Sequence, residues 1–199
     1  MSAPISSYRL GDLCLLTLTA SEKQQLVTDY PDSIGADYIN LGCTNGAASI
    51  AQIISRRLPR FAALLPPEIS ESTVIHLRLG DVLAGNTQHE REKRPIPVDQ
   101  LRTLVPPNSR KIYVIGKCFF AKTSSSNYDE CIQASDRYFA DVLRELGGIH
   151  FDGGSADVDL YAAVMAKQFI QGRGFFSKLI TETRRHLFQH DIELDQPTL

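Results

Sequence analysis

The feature that most constrains this chain is an alternation. Short runs rich in β-branched residues are separated by longer runs with a helical apolar period. Strands are expected at 12–19, 37–42, 73–79, 111–116, 149–151 and 169–171. Helices are expected at 20–29, 46–65, 98–105, 130–146, 157–167 and 175–189. Such an order predicts an α/β fold with a mostly parallel sheet and helices on both faces, because parallel strands need crossover connections and helices supply them. The punctuation agrees. Thr19 or Ser21 can cap the first helix, and Thr44 or Asn45 the second, which stops at Pro66-Pro67. Gly147-Gly148 closes the helix 130–146. The charged, proline-bounded segment 84–97 has no apolar period and is expected to be an exposed, mobile loop, with a lid as the alternative reading of its charge run 90–94. Residues 119–128 are expected to form a loop and 191–199 a frayed tail.

Within this frame the stretch Val74-Ile75-His76-Leu77-Arg78-Leu79-Gly80-Asp81 stands out. Val74, Ile75, Leu77 and Leu79 suit a buried strand. His76, Arg78 and Asp81 do not suit a dry core, because a buried charge is costly unless paired. Spaced by two, His76 and Arg78 fall on one face of a strand. They are expected at its carboxyl end, beside the Gly80 turn, where open α/β sheets bind ligands. An arginine there is a natural clamp for phosphate.

The bulk numbers exclude several classes. With 199 residues and 43% hydrophobic content, the chain suits one compact domain or two small lobes with a sizeable core. A net charge of −2 and a pI near 6.2 give no long-range field for nucleic acid or an anionic membrane. No apolar run approaches the ~20 residues of a membrane helix, and residues 1–9 lack the pattern of a signal peptide. The four cysteines show no CxxC pairing and read as reduced thiols of a cytoplasmic protein.

The second constellation lies between Phe151 and Arg185. A helix opens with Asp157-Val158-Asp159, and a short strand then runs into Gly172-Arg173-Gly174 ahead of another helix. Glycine before a helix N-terminus leaves backbone N–H groups facing an anion. Together, HLRLGD and DVDLYAAVMAKQFIQGRGFFS resemble the paired donor-site motifs of fucosyltransferases, both the protein O-fucosyltransferases and the bacterial α-1,2 enzymes. The resemblance covers roughly residues 74–185 and rests on both motifs, in order and in their expected strand-turn-helix contexts.

The resemblance implies a Rossmann-like, GT-B-type enzyme. Residues 1–70 would be a reduced N-terminal, acceptor-side portion, and 71–199 the nucleotide-sugar portion. It also implies roles. Arg78 would hold the β-phosphate of a GDP-sugar and stabilise the departing GDP, with His76 placing the ribose or orienting Arg78 beside Gly80. Asp159 would accept the guanine N1–H and N2–H. Gly174, Phe175 and Phe176 would present backbone N–H groups to the phosphates, and Ser177 a hydroxyl. Gly174 and Phe175 stand where the family has serines, and Gly116-Lys117 where a Ser-Asp-Asp-like element often follows the middle strand. Asp81 is a candidate base, although a hydrogen bond holding Arg78 is its simpler role.

The expected function is transfer of a sugar, fucose first, from a GDP-sugar to a glycan or other hydroxyl acceptor, with inversion and without metal or other cofactor. The alternative is a degenerate domain that binds nucleotide or a partner without catalysis. The DxD spelling of Asp157-Val158-Asp159 opens a helix, so Asp157 is read as an N-cap rather than a metal ligand. His186 and His190 are spaced i, i+4 without a third ligand and are read as solvated cations. The oligomeric state is left open, a homo-oligomer included.

Overall fold

The computed structural model describes residues 18–84, 88, 92, 94–120 and 127–193. They form two compact units. The first gathers Met1–Leu65, Gly153–Val164 and Leu179–Leu199; the second gathers Pro66–Asp152 and Met165–Lys178. Each unit is thus drawn from separate segments of the chain, three in the first and two in the second.

The second unit carries a four-stranded sheet of β1 (Thr73–His76), β3 (Ile112–Ile115), β5 (Ile149–His150) and β6 (Gln168–Ile170). Every pairing is parallel, and the order is β5-β3-β1-β6. Val74 at the centre lies opposite Tyr113 on one side and Phe169 on the other. The α/β expectation with a parallel sheet is therefore met. A separate parallel pair is made by β2 (Leu79–Gly80) and β4 (Cys118–Phe119).

Helices α4 (Asp81–Ala84), α5 (Val98–Leu104) and α6 (Tyr128–Leu146) belong to this unit. One face of the sheet is sealed by Leu101 of α5 and Val142 of α6 against Ile75, Val114 and Ile170. Asn127 caps α6 by accepting from the Asp129 and Glu130 N–H groups, and Gly147 ends it in the left-handed conformation. The topology matters for function. From β1 through β3 to β5 the chain steps outward in one direction; β6 then returns to the opposite side of β1. Strand order reverses between β1 and β6, and in open α/β sheets the ligand crevice forms at the carboxyl ends of such strands.

The first unit is helical among its described residues. It contains α1 (Ala20–Asp29), α2 (Ile34–Asn40), α3 (Gly46–Ala62), α7 (Ala156–Met165) and most of α8 (Phe175–Glu193). Thr19 and Glu22 form a capping box at the start of α1. All side chains of α7 from Asp157 to Val164 are buried, the pattern of a helix at the centre of a core. Tyr161 stacks on Phe61 with centroids 4.2 Å apart and donates its hydroxyl to Ile54 O at 2.9 Å. Arg184 donates to Ala163 O and Val164 O, satisfying carbonyls in the last turn of α7.

Several expectations are corrected. Residues 37–42 are not a strand; 34–40 form α2. Ser33 caps this helix through Ala36 N–H, and the Asp157 carboxylate accepts from Ile34 N–H at 2.8 Å. The strand 73–79 breaks after His76 and resumes as β2. Asn45 sits at the N-cap of α3 without a side-chain bond, and α3 ends at Ala62 rather than 65. α8 continues to Glu193. The strand 12–19 lies largely, and residues 85–87, 89–91, 93, 121–126 and 194–199 lie wholly, outside the described residues.

Candidate functional site

The first half of the site is the turn that follows β1. Leu77 N–H still bonds Ile115 O at 2.8 Å. The chain then turns so that Leu79-Gly80 pairs with β4. Ser135, buried on α6, fixes this turn by accepting from Gly80 N–H at 2.9 Å and donating to Cys131 O at 2.7 Å. Asp81 opens α4 and is 3% exposed. Its Oδ1 accepts from Arg78 Nη2 at 2.8 Å, while Arg78 Nη1 reaches Leu79 O at 3.2 Å. The guanidinium is thus oriented along its own turn by a charge-assisted bond in a poorly solvated place.

The second half is the turn between β6 and α8. A Cβ on Gly172 would lie 2.0 Å from His76 O, so only glycine lets the two strand ends approach this closely. Gly174 has φ +101°, and its Cβ position lies 3.5 Å from Arg78 Cδ. Two residues into α8, Phe176 sets its ring edge-on to His76, with centroids 5.3 Å apart. Ser177 is fully buried, with Oγ 2.6 Å from His76 Nδ1. Burial, and then the positive charge of Arg78, pushes the His76 imidazole down to about 4, so it is neutral at pH 7.

The turns meet in a narrow crevice lined by His76, Arg78, Gly172 and Arg173, with Pro95 and Ile96 as the opposing wall. As it stands the crevice is closed: a water-sized sphere does not fit. Tyr138 Oη donates to Ile96 O at 2.7 Å, and Arg173 Nη1 donates to Glu92 O at 2.5 Å. A hollow of about 240 Å³ elsewhere in the unit, lined by Arg102, Val105, Pro106, Ile112, Glu145 and Leu146, contains none of the expected site residues.

The structure therefore brings together His76, Arg78, Gly80 and Asp81 on one turn with Gly174, Phe176 and Ser177 on the other. Strand pleating does not do this, because Arg78 lies beyond the end of β1. Ser177, expected to offer a hydroxyl to phosphate, is instead taken up by His76. Phe175 is 56% exposed at the start of α8. Asp159 belongs to the first unit, where it is buried and its Oδ1 accepts from Gly153 N–H at 3.0 Å. Asp157 is not the N-cap of its own helix; it lies within the first turn of α7 and caps α2. Among the described residues no group of three or more His, Cys, Asp or Glu is placed to hold a metal ion. None of the described helices is long and apolar enough to cross a membrane.

The role of Ser135 has no signature in the sequence. A single serine in an amphipathic helix gives no local sign that it will reach a glycine 55 residues earlier. Comparison of the chain with protein-family models, with curated proteins and with solved structures returned no match.

Proposed function

We propose that this chain is a Rossmann-like glycosyltransferase of GT-B type that moves a sugar, fucose first, from a GDP-sugar to an acceptor hydroxyl with inversion. The observation that carries the reading is the meeting of the His76–Asp81 turn with the Gly172–Gly174 turn where strand order reverses. A diphosphate leaving a sugar gains negative charge on its oxygens. In this proposal Arg78 and the backbone N–H groups opening α8 stabilise that charge, so no metal is called for. Asp81 is a positioning residue that holds Arg78, and His76 a neutral support behind it. The free thiols of Cys43, Cys118 and Cys131 suit a reducing compartment, the cytoplasm.

A second reading is a nucleotide- or partner-binding domain without catalysis. It is favoured by the closed crevice and by Gly174 and Phe175 in the places of the family serines. Thermal shift with GDP, UDP, ADP and NAD tests the common ground, since a ligand at 100 times its Kd adds roughly 2.7 kcal/mol. Both readings expect a GDP-selective shift that Arg78→Ala abolishes. No shift with GDP at high concentration rejects the first. Release of GDP from GDP-fucose, with and without acceptor, then separates enzyme from binder.

A further inference from the structure

We infer that Arg173 is a second diphosphate-binding group, acting with Arg78 across the crevice at the ends of β1 and β6. The inference rests on the reading that this crevice receives a phosphorylated ligand, and it names a residue to which that reading gave no role.

The backbone geometry is the first argument. Arg173 lies between two glycines packed close to the opposite turn: a Cβ on Gly172 would lie 2.0 Å from His76 O, and one on Gly174 3.5 Å from Arg78 Cδ. Its side chain therefore departs from a backbone locked against the one that carries Arg78, and both arginines line the same crevice. The present partners are the second argument. Arg78 has a carboxylate, Asp81, at 2.8 Å. Arg173 is exposed and donates to the neutral carbonyl of Glu92. An anion brings a full opposite charge and can take two guanidinium N–H groups at once, which a single neutral carbonyl does not, so an incoming anion displaces that carbonyl.

The identity of the anion follows from the count of groups. Two guanidinium groups lining one crevice match two linked phosphoryl groups better than one. A diphosphate also relieves the repulsion between two like charges facing one crevice. Arg173 would thus supply the side-chain donors that Gly174 and Phe175 lack.

The test is calorimetric titration of inorganic pyrophosphate, orthophosphate and GDP into wild type, Arg173→Ala and Arg173→Lys. Each unliganded variant is first checked for its melting temperature; Arg173 is exposed, so its truncation leaves the core intact. Pyrophosphate and GDP should bind wild type more tightly than orthophosphate. Arg173→Ala should weaken both by about 10- to 100-fold, the loss of one hydrogen-bonded charged partner, with Arg173→Lys between. Equal affinity for wild type and Arg173→Ala overturns the inference and leaves the donor reading standing. Arg173-dependent binding of pyrophosphate without any gain for GDP sustains the inference and sinks the guanosine donor. No binding of pyrophosphate or GDP to wild type overturns both.

Discussion

The Nδ1 atom of His76 and the Oγ atom of Ser177 lie 2.6 Å apart, joining residues 101 positions apart in the chain with both side chains buried. The bond ties the last residue of β1 to the first turn of α8. The hydroxyl can donate to or accept from that nitrogen; it is burial, and then the charge of Arg78, that favours the neutral ring.

Stability should therefore fall in mild acid. His76 titrates near 6.5 when unfolded and about 4 when folded, so between these values the unfolded chain binds more protons. Its contribution is intact above pH 6.5 and is lost as pH falls toward 4, by about 3 kcal/mol at ~1.4 kcal/mol per pH unit of separation. Urea unfolding of wild type and His76→Gln at pH 7, 5.5 and 4.5 should show a steeper loss in wild type. Parallel slopes would show that another group governs the acid response.

Gly172→Ala should be severe. The added methyl lands 2.0 Å from the His76 carbonyl oxygen, so β1 and β6 must part. Overpacking of this kind costs about 1–3 kcal/mol or more. Gly174→Ala meets only Arg78 Cδ at ordinary contact distance, and its cost is the left-handed backbone at φ +101°, also of order 1–3 kcal/mol. The two variants should differ in kind. Gly172→Ala should lower protection from hydrogen exchange in both strands, and Gly174→Ala only around its own turn.

Asp157 should matter for stability through oxygen rather than charge. Its carboxylate accepts from Ile34 N–H in a buried place. Asp157→Ala leaves that donor without its acceptor and should cost about 1–3 kcal/mol. Asp157→Asn keeps an acceptor oxygen and should cost clearly less. Equal losses in denaturant melts would assign Asp157 a different role.

Arg78 and Asp81 should be energetically coupled. Their side chains are 15% and 5% exposed, so truncating either removes an opposite charge from a place with little solvent. Arg78→Ala and Asp81→Ala should each cost up to about 3–5 kcal/mol. In the double variant the losses should fall short of additivity by about 0.5–3 kcal/mol. Strict additivity would mean the pair is held by its surroundings.

Much of this was legible in advance. α6 is long, strongly amphipathic, and punctuated by Asn127 and Gly147, and β3 is a dense β-branched run; both came through at nearly their true bounds. α2 did not. It is only seven residues long, and one of its two caps, the carboxylate of Asp157, comes from far along the chain while Ser33 supplies the local one. The turn after His76 was similarly hidden. Nothing between Leu77 and Leu79 says that pairing will pass from one sheet to another; that depends on β4 and on Ser135. The glycines around Arg173 were visible, but not that one of them touches the His76 carbonyl, because the strand order that makes them neighbours is a non-local choice.

The bond between Ile34 and Asp157 spans 123 residues, and this sets a timetable for synthesis. α2 leaves the ribosome before the acceptor of its first N–H, and α2 and α3 emerge long before α7, whose Asp157 and Tyr161 they contact. At roughly 5–20 residues per second the delay is on the order of ten seconds. For that interval the surfaces of α2 and α3 that meet α7 have only the other early helices to pack on, which is when exposed apolar surface invites aggregation.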